Sequence, residues 1–551
     1  MRADGRTVPD GETIQTDVCI IGAGPAGMIL AQRLGRSGRE VVLLEQGEAE
    51  GEGLLEPLRT TDSIGLEYDV DKHRGGGVGG SVHKWLVTTP LGDGFGRIPE
   101  LGSDDFEVRR WIPESGWPFP KHVLQDYYRS ARELFETDWP SSDPESDWEA
   151  SLEQSRTIRS LDGVAPRVFP LANPAVFPGA VRRNLEQSNQ VLLLTNASAI
   201  ELEIGDEISE VKSVIVAQYT GKRFQIVASR FVLAAGGIEN ARVLLNSRNR
   251  WPHGVGNDTE LVGRYFMEHP RFAAGIFVPR DSALFAAKRF HAVTLLDGIP
   301  TQTKYRLNPA AAECEEVANH IFFFRPARWT VAALAAMEGW YDPRPVQASR
   351  ELVRSLQRRR LPKDGFRLSR HLARGIPHLW RISRAKRYLS TERKRVSDDV
   401  RKHPDFFKIE VMAEQVPNRE SRIRILHDRD KFGANRAALD WRLTDADLTG
   451  FARAQEYFGT ALETAGLGEA FTYLRPGVVP RGLYAASHHM GTTRMHRNPR
   501  QGVVDEHGRV HGIRNLYVAG SSVFPTGGSA NPTLTVLALT LRLADELRSN
   551  G

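Results

Sequence analysis

The stretch SHHMGTTRMH, residues 487 to 496, sets His488 beside His489 ahead of a glycine, with His496 a few residues on. Imidazole is the side chain whose unperturbed pKa lies nearest neutrality, so one such ring can act as a general base and several can hold a metal. The spacing 488, 489, 496 does not converge three imidazoles with a nearby carboxylate, and no metal is expected. Adjacent side chains of an extended segment point to opposite faces, so His488 and His489 cannot readily address the same partner. A second candidate lies near the C-terminus, where Asn531 and Pro532 open a helical pattern. Asn is a preferred N-cap and Pro is favoured at the first helical position, so the pair can simply begin a helix. A helix N-terminus also attracts negative charge, so the same pair can face a ligand. The local context leaves both readings open.

The elements that would position these residues are announced by glycine clusters. In DVCIIGAGPAGMILAQRLGRSGREVVLLEQG an apolar run meets Gly22, Gly24 and Gly27, a helical pattern follows, and a second apolar run ends at Glu45. This is the strand, turn, helix, strand order of a dinucleotide fold: Gly22 permits the turn, Gly24 lets a pyrophosphate approach the backbone, and Gly27 allows close helix packing. Glu45 can accept from both ribose hydroxyls and would repel a 2'-phosphate, which disfavours NADP. GGGVGG at 75–80 also matches the glycine spacing, but DKHR precedes it rather than a strand, so it reads as a further phosphate or ring contact, followed by Ser81 and Trp85. In RFVLAAGGIENARVLLNS, residues 230–247, a strand ends in small residues that let backbone pass close to a ligand.

Length and composition set the frame. At 551 residues the chain exceeds what one hydrophobic core usually organises, which predicts two domains. Hydrophobic content of 40% and charged content of 26% are those of a globular protein. No apolar run approaches a membrane span and the N-terminal stretch has no hydrophobic signal core, so a cytoplasmic protein is expected. Two cysteines exclude a disulfide framework. The net charge of +5 is uneven: residues 351–400 carry 15 Lys and Arg against 5 Asp and Glu. This basic stretch reads first as a solvated face and second as a dock for an anionic surface. Nucleic-acid binding has no supporting motif.

The chain resembles the glucose-methanol-choline family of FAD-dependent alcohol oxidoreductases. The resemblance is carried by GAGPAG near the start, GVGGSVHKW at 77–85, VLAAGGIENARVLLNS at 232–247, VGRYFMEHP at 262–270, and the run from HHMGTTRM to SANPTLTVLALTLRLAD. It looks closest to pyranose- and glycoside-oxidising members. It implies an α/β fold: a doubly wound, Rossmann-like FAD domain from residues 1–100, 188–275 and 476–551, and an α+β substrate domain with an antiparallel sheet from 101–187 and 276–475. The strand-like FFKIEVMAEQVP and SRIRIL, with a turn between them, are expected in that sheet, covered by helices from 325 to 400.

The resemblance also implies roles. His488 is the catalytic base and Asn531 the second catalytic residue; Trp85 and His489 face the substrate. Gly22, Gly24, Ala26, Gly27, Glu45, Gly79, Gly80, Ser81, Ala235, Gly236, Gly520, Ser521, Pro532 and Thr533 contact FAD. Gly520 stands where the family often has aspartate, so backbone amides and Ser521 are expected at the phosphates. Lys84, rather than a histidine, precedes Trp85, and FAD is expected to be non-covalent. The implied reaction passes a carbinol hydride to flavin N5 while the hydroxyl proton leaves to the base, on a small alcohol such as a sugar, glycoside, cyclitol or aminoglycoside. Oxygen, a quinone or another carrier would reoxidise the flavin. The rival readings are a redox-silent lyase on the same scaffold and a non-catalytic flavin-binding protein. A pyridine-nucleotide-dependent monooxygenase or reductase is disfavoured, because neither a second strand-framed GxGxxG nor a redox CxxC is present.

Overall fold

The computed structural model describes residues 1–48, 61–85, 87–135, 161–205, 209–328 and 404–549. The basic stretch 351–400 and all but the first residues of the helices expected at 325–400 lie outside them. Among the described residues no helix is long and apolar enough to cross a membrane.

The apolar run before the first glycine turn forms the strand Thr13–Ile21. It lies between Val41–Leu44 and Arg223–Leu233, parallel to both, with Val191–Thr195 and then Arg2–Asp4 beyond Val41–Leu44. Arg223–Leu233 is divided in its pairing. Its first residues pair antiparallel with Val211–Ala217, and its last three pair parallel with Leu516–Val518. The sheet has eight strands and is mostly parallel. The carboxyl ends of four parallel strands therefore meet at one edge, where an open α/β sheet binds its ligand. Each ends in a residue already singled out: Gly22, Glu45, Ala234 with Ala235, and Gly520.

The helix Pro25–Arg36 starts with Pro at its first position and buries Ala26, Gly27, Met28, Ile29 and Leu30. A Cβ at Gly27 would fall 1.9 Å from the Gly22 carbonyl oxygen, so only glycine lets this helix seat against the turn. The C-terminal helix Thr533–Ser549 packs against it and against Gln125–Glu133, where the Tyr128 hydroxyl meets Thr535 Oγ1 at 2.9 Å.

A second sheet has ten strands, and among the described residues its strand pairs are all antiparallel. Its centre is Pro270–Pro279, Phe406–Met412, Ile321–Ala327, Ile299–Leu307 and Val164–Ala172, in that order. One face carries Phe272, Phe322, Phe324 and Phe407 and packs with Phe451 and Phe458 of the helix Asp445–Thr464. Phe322 and Phe458 stack with centroids 4.3 Å apart. Each such ring contributes about 2 kcal/mol by leaving water. Thr444 and Asp447 cap that helix reciprocally. The opposite face holds a smaller apolar group, Phe169, Ile321, Phe323 and Met412, among charged residues.

The structure departs from the sequence reading in its pairings. Phe406–Met412 does sit in the antiparallel sheet, but Arg422–Arg429 does not join it. That strand pairs with Asn435–Asp440 in a separate three-stranded sheet, and its Ile423 packs into the core beneath the eight-stranded sheet. The Ile423 amide donates to the Gly263 carbonyl oxygen at 2.8 Å, which draws the segment away from its expected partner. Residues assigned to one domain also serve the other. Gly92–Arg97 hydrogen-bonds into the ten-stranded sheet, while Leu124, Tyr128, Phe177 and Leu185 pack into the core beneath the eight-stranded one.

Candidate active site

Two short extended segments bring distant histidines together. Met267 and Met490 exchange backbone hydrogen bonds of 3.0 Å in each direction, which places Glu268 and His269 beside His488 and His489. The turn after them requires glycine, because a Cβ at Gly491 (φ +86°) would lie 2.1 Å from the Tyr265 carbonyl oxygen. Just before them Ser487 holds φ at +68°, an uncommon conformation for a residue with a side chain. Glu268 secures it. Its fully buried carboxyl accepts from the backbone amides of His488, Ala486 (3.1 Å) and His269 (3.2 Å). Burial pushes this carboxyl up to about 8, although those amides pull the other way.

The hydrogen bonds around His488 run in one direction. His269 Nε2 donates to the Gly528 carbonyl oxygen at 2.9 Å, since a carbonyl can only accept. That leaves a lone pair on His269 Nδ1, which accepts the Nδ1 proton of His488 at 2.8 Å. His488 Nε2 is then unprotonated, and it accepts from Asn531 Nδ2 at 3.0 Å. Burial, followed by the neighbouring His269, Arg271 and Lys304, holds His488 well below the usual histidine range. Burial likewise lowers His269 to about 4. The site thus presents a neutral imidazole with its basic nitrogen fixed.

Asn531 is not a side-chain helix cap. Its Nδ2 is directed at His488, and its buried Oδ1 has no partner among the described residues. His489 turns the other way. Its Nε2 meets the Tyr68 hydroxyl at 2.5 Å, and burial lowers it to about 3. His496 is remote from this group and accepts from the Asn498 amide. Among the described residues no cluster of His, Cys, Asp and Glu could hold a metal ion.

The rim of the site is tied to a buried ion pair. Arg109 makes two hydrogen bonds to Glu414, of 2.6 and 2.7 Å, and Glu414 also accepts from the Gly528 amide at 3.0 Å. The carbonyl that orients His269 therefore belongs to a residue held by a buried carboxylate. Sequence reasoning missed His269, Glu268 and Glu414. The segment VGRYFMEHP carries part of the family resemblance, but nothing local gives its last residues a role.

A cavity of about 660 Å³ runs from the Gly22 turn to His488 and Asn531. Gly22, Gly24, Ala26, Glu45, Gly80, Ser81, Trp85, Ala235, Gly236, His489, Gly520, Ser521, Pro532 and Thr533 also line it. Gly24, Gly236 and Gly520 have no atom within 4 Å of where a Cβ would stand, so a side chain there would occupy the cavity itself. An elongated dinucleotide suits this cradle, with the N-terminus of Pro25–Arg36 at one end for phosphate. Two expected contacts do not line it: Gly27 is spent on helix packing, and Gly79 donates its amide to the Ala23 carbonyl oxygen at 2.8 Å.

Two further expectations change in detail. Glu45 accepts from the amides of Ala23 (3.1 Å), Gly47 (2.7 Å) and Gly77 (3.1 Å), so a ribose diol would share a carboxylate that already organises the loops around it. The Ser521 hydroxyl, expected at a phosphate, donates to the His489 carbonyl oxygen at 2.6 Å. The chain folds back there, with the Thr493 amide donating to the Ser522 carbonyl oxygen, and this leaves Ser521 against the histidine segment.

Residues 15–52 match the family described as FAD binding domain, and residues 417–540 match the family described as GMC oxidoreductase. The chain is similar to 6'''-hydroxyparomomycin C oxidase of Streptomyces lividus, at 24% identity over 97% of this chain and 91% of the relative. It is also similar to the fructose dehydrogenase large subunit of Gluconobacter japonicus, at 23% identity over 97% and 98%. Its fold is similar to that of a variant of Aspergillus oryzae formate oxidase, with TM-score 0.53, 15% identity and coverage of 98% and 99%. With the glycine-framed dinucleotide cradle and the histidine at its far end, these matches lead to one assignment: the chain is an FAD-dependent alcohol oxidoreductase, similar to the glucose-methanol-choline oxidoreductases and matching their model over residues 417–540.

Proposed function

We propose that the protein oxidises a hydroxyl of a sugar-like small molecule to a carbonyl, with His488 Nε2 as the base. The observation that carries this reading is the directed chain from Asn531 through His488 and His269 to the Gly528 carbonyl oxygen, which fixes the tautomer in which Nε2 can accept a proton. A substrate hydroxyl entering between the two side chains donates to His488 Nε2 and accepts from Asn531 Nδ2. The hydroxyl proton passes to Nε2, and the carbinol C–H bond breaks as C=O forms. FAD, when bound, supplies the two-electron acceptor for that hydride. His488 is then an imidazolium, and His269 keeps it in plane by accepting from its Nδ1. Asn531 Oδ1 remains for a second polar group of the substrate. The sugar-like class rests on the relatives, which are named for oxidising an aminoglycoside and fructose.

The test is anaerobic mixing of the holoenzyme with sugars, glycosides, cyclitols, aminoglycosides and simple alcohols while the flavin band is followed, and then admission of air. Bleaching by a carbohydrate class is the expected result. Fast recovery in air marks an oxidase, and slow recovery marks a dehydrogenase that uses a quinone or another carrier. Bleaching by simple alcohols alone would overturn the substrate class.

A further inference from the structure

The ten-stranded sheet turns one face toward the cavity, and that face is basic. Cross-strand partners share a face. Arg271 is opposite Met412, which is opposite Ile321; Phe323 is opposite Glu410; Arg325 is opposite Lys408. On the next strands Lys304 is opposite Arg167, Gln302 is opposite Phe169, and Arg97 is opposite Leu171. Arg97, Arg271, Lys304 and Arg325 all line the cavity with His488 and Asn531.

These cations are poorly neutralised. Glu410 serves two of them, Arg325 at 3.1 Å and Arg271 at 3.8 Å. Arg97 donates to the neutral Gln302 at 2.9 Å. Lys304 is 2% exposed, and among the described residues no carboxylate pairs with it. Its ammonium lies over the rings of Phe169 (4.0 Å) and Phe323 (5.1 Å), which attract it without supplying a counter-charge. Arg271 Nε is buried without a partner among the described residues. A fold gains nothing in stability by gathering like charges out of water, since each buried charge loses its hydration without a counter-charge to replace it. Burial and the three arginines hold Lys304 well below its usual range, and burial and its neighbours lower Arg97 to about 10. The group is electrostatically primed for an anion, and Arg271 and Lys304 act on His488, which places it at the reacting end of the cavity.

We propose that the substrate carries an anionic group, a carboxylate or a phosphate, which docks on Lys304, Arg271, Arg97 and Arg325 while its hydroxyl meets His488 and Asn531. This rests on the alcohol-oxidation reading and narrows it to acidic carbohydrates, such as sugar acids or sugar phosphates. The anion would also compensate the charge that His488 gains when it takes the hydroxyl proton beside two cations.

The experiment is calorimetric titration of the anaerobic holoenzyme with D-glucose, D-glucuronate and D-glucose 6-phosphate, with the flavin band followed in parallel. The expected result is at least about tenfold tighter binding of one acidic sugar than of glucose, lost in Lys304→Met and Arg271→Gln. Arg325→Gln, at a 58% exposed side chain, supplies a variant without burial cost and should weaken the same preference. The carboxylate and phosphate arms identify the anion. Equal binding of all three, or binding of neither acid, would overturn the proposal. Tight binding of an acid without bleaching would keep the anion site and count against oxidation of that compound's hydroxyls.

Discussion

His488 Nδ1 and His269 Nδ1 lie 2.8 Å apart with their rings nearly perpendicular, at 87°, so one imidazole orients the other across 219 positions of sequence. His269→Ala removes the acceptor that fixes the tautomer of His488, and it should slow anaerobic flavin reduction by about 10²-fold while FAD stays bound. Rapid-mixing absorbance measures both quantities. An unchanged reduction rate would separate His269 from the mechanism.

His488→Ala should lower the same rate by at least about 10²-fold. Asn531→Ala should do so to a smaller extent and also raise KM, because Asn531 positions the oxygen but takes no proton. A KM effect alone for His488→Ala would contradict its role as base.

The pH dependence of turnover follows from the lowered pKa of His488. A depressed histidine stays neutral as pH falls through 6.5, so the acid limb of kcat/KM should lie well below that value. A limb at or above 6.5 would require a different titrating base.

Stability should change with pH in opposite senses on the two sides. His269 and His489, lowered to about 4 and 3, resist protonation when folded, so the stability they contribute is lost as pH falls from about 6.5 through those values. Glu268 is raised to about 8 and resists ionisation, so its contribution is lost as pH rises from about 4.5 to about 8. Glu268→Gln cannot ionise. The thermal midpoint of the wild type should therefore fall relative to this variant across that rise, and parallel melting curves would place the carboxyl pKa elsewhere.

Two alanine substitutions separate packing from cofactor binding. Gly27→Ala drives a Cβ into backbone and should cost about 3 kcal/mol of stability. Gly24→Ala meets open cavity and should leave the fold intact while weakening FAD retention. Denaturant melts and FAD titration of the apoprotein distinguish the two.

The features legible in the sequence were the local ones. The Gly22–Gly27 turn, Glu45 and the Asn531–Pro532 helix start are each written within about 30 consecutive residues, the span of one strand-turn-helix unit. His269 and Glu268 act only through the Met267–Met490 pairing, which no local pattern encodes. Strand propensity identified Phe406–Met412 and Arg422–Arg429 but not their partners, because pairing is decided by packing rather than by backbone preference. The basic sheet face was equally hidden. Arg97, Arg271, Lys304 and Arg325 become neighbours only once the register is known.

That register separates two kinds of heritable change. Phe272, Phe322 and Phe324 face the helix Asp445–Thr464, whereas Arg271, Phe323 and Arg325 alternate with them along the same strands. A mutation at one parity is filtered by whether the chain folds; at the other it alters what the cavity admits. Substrate choice in this scaffold can therefore drift one strand position at a time, with the aromatic layer behind it left unaltered.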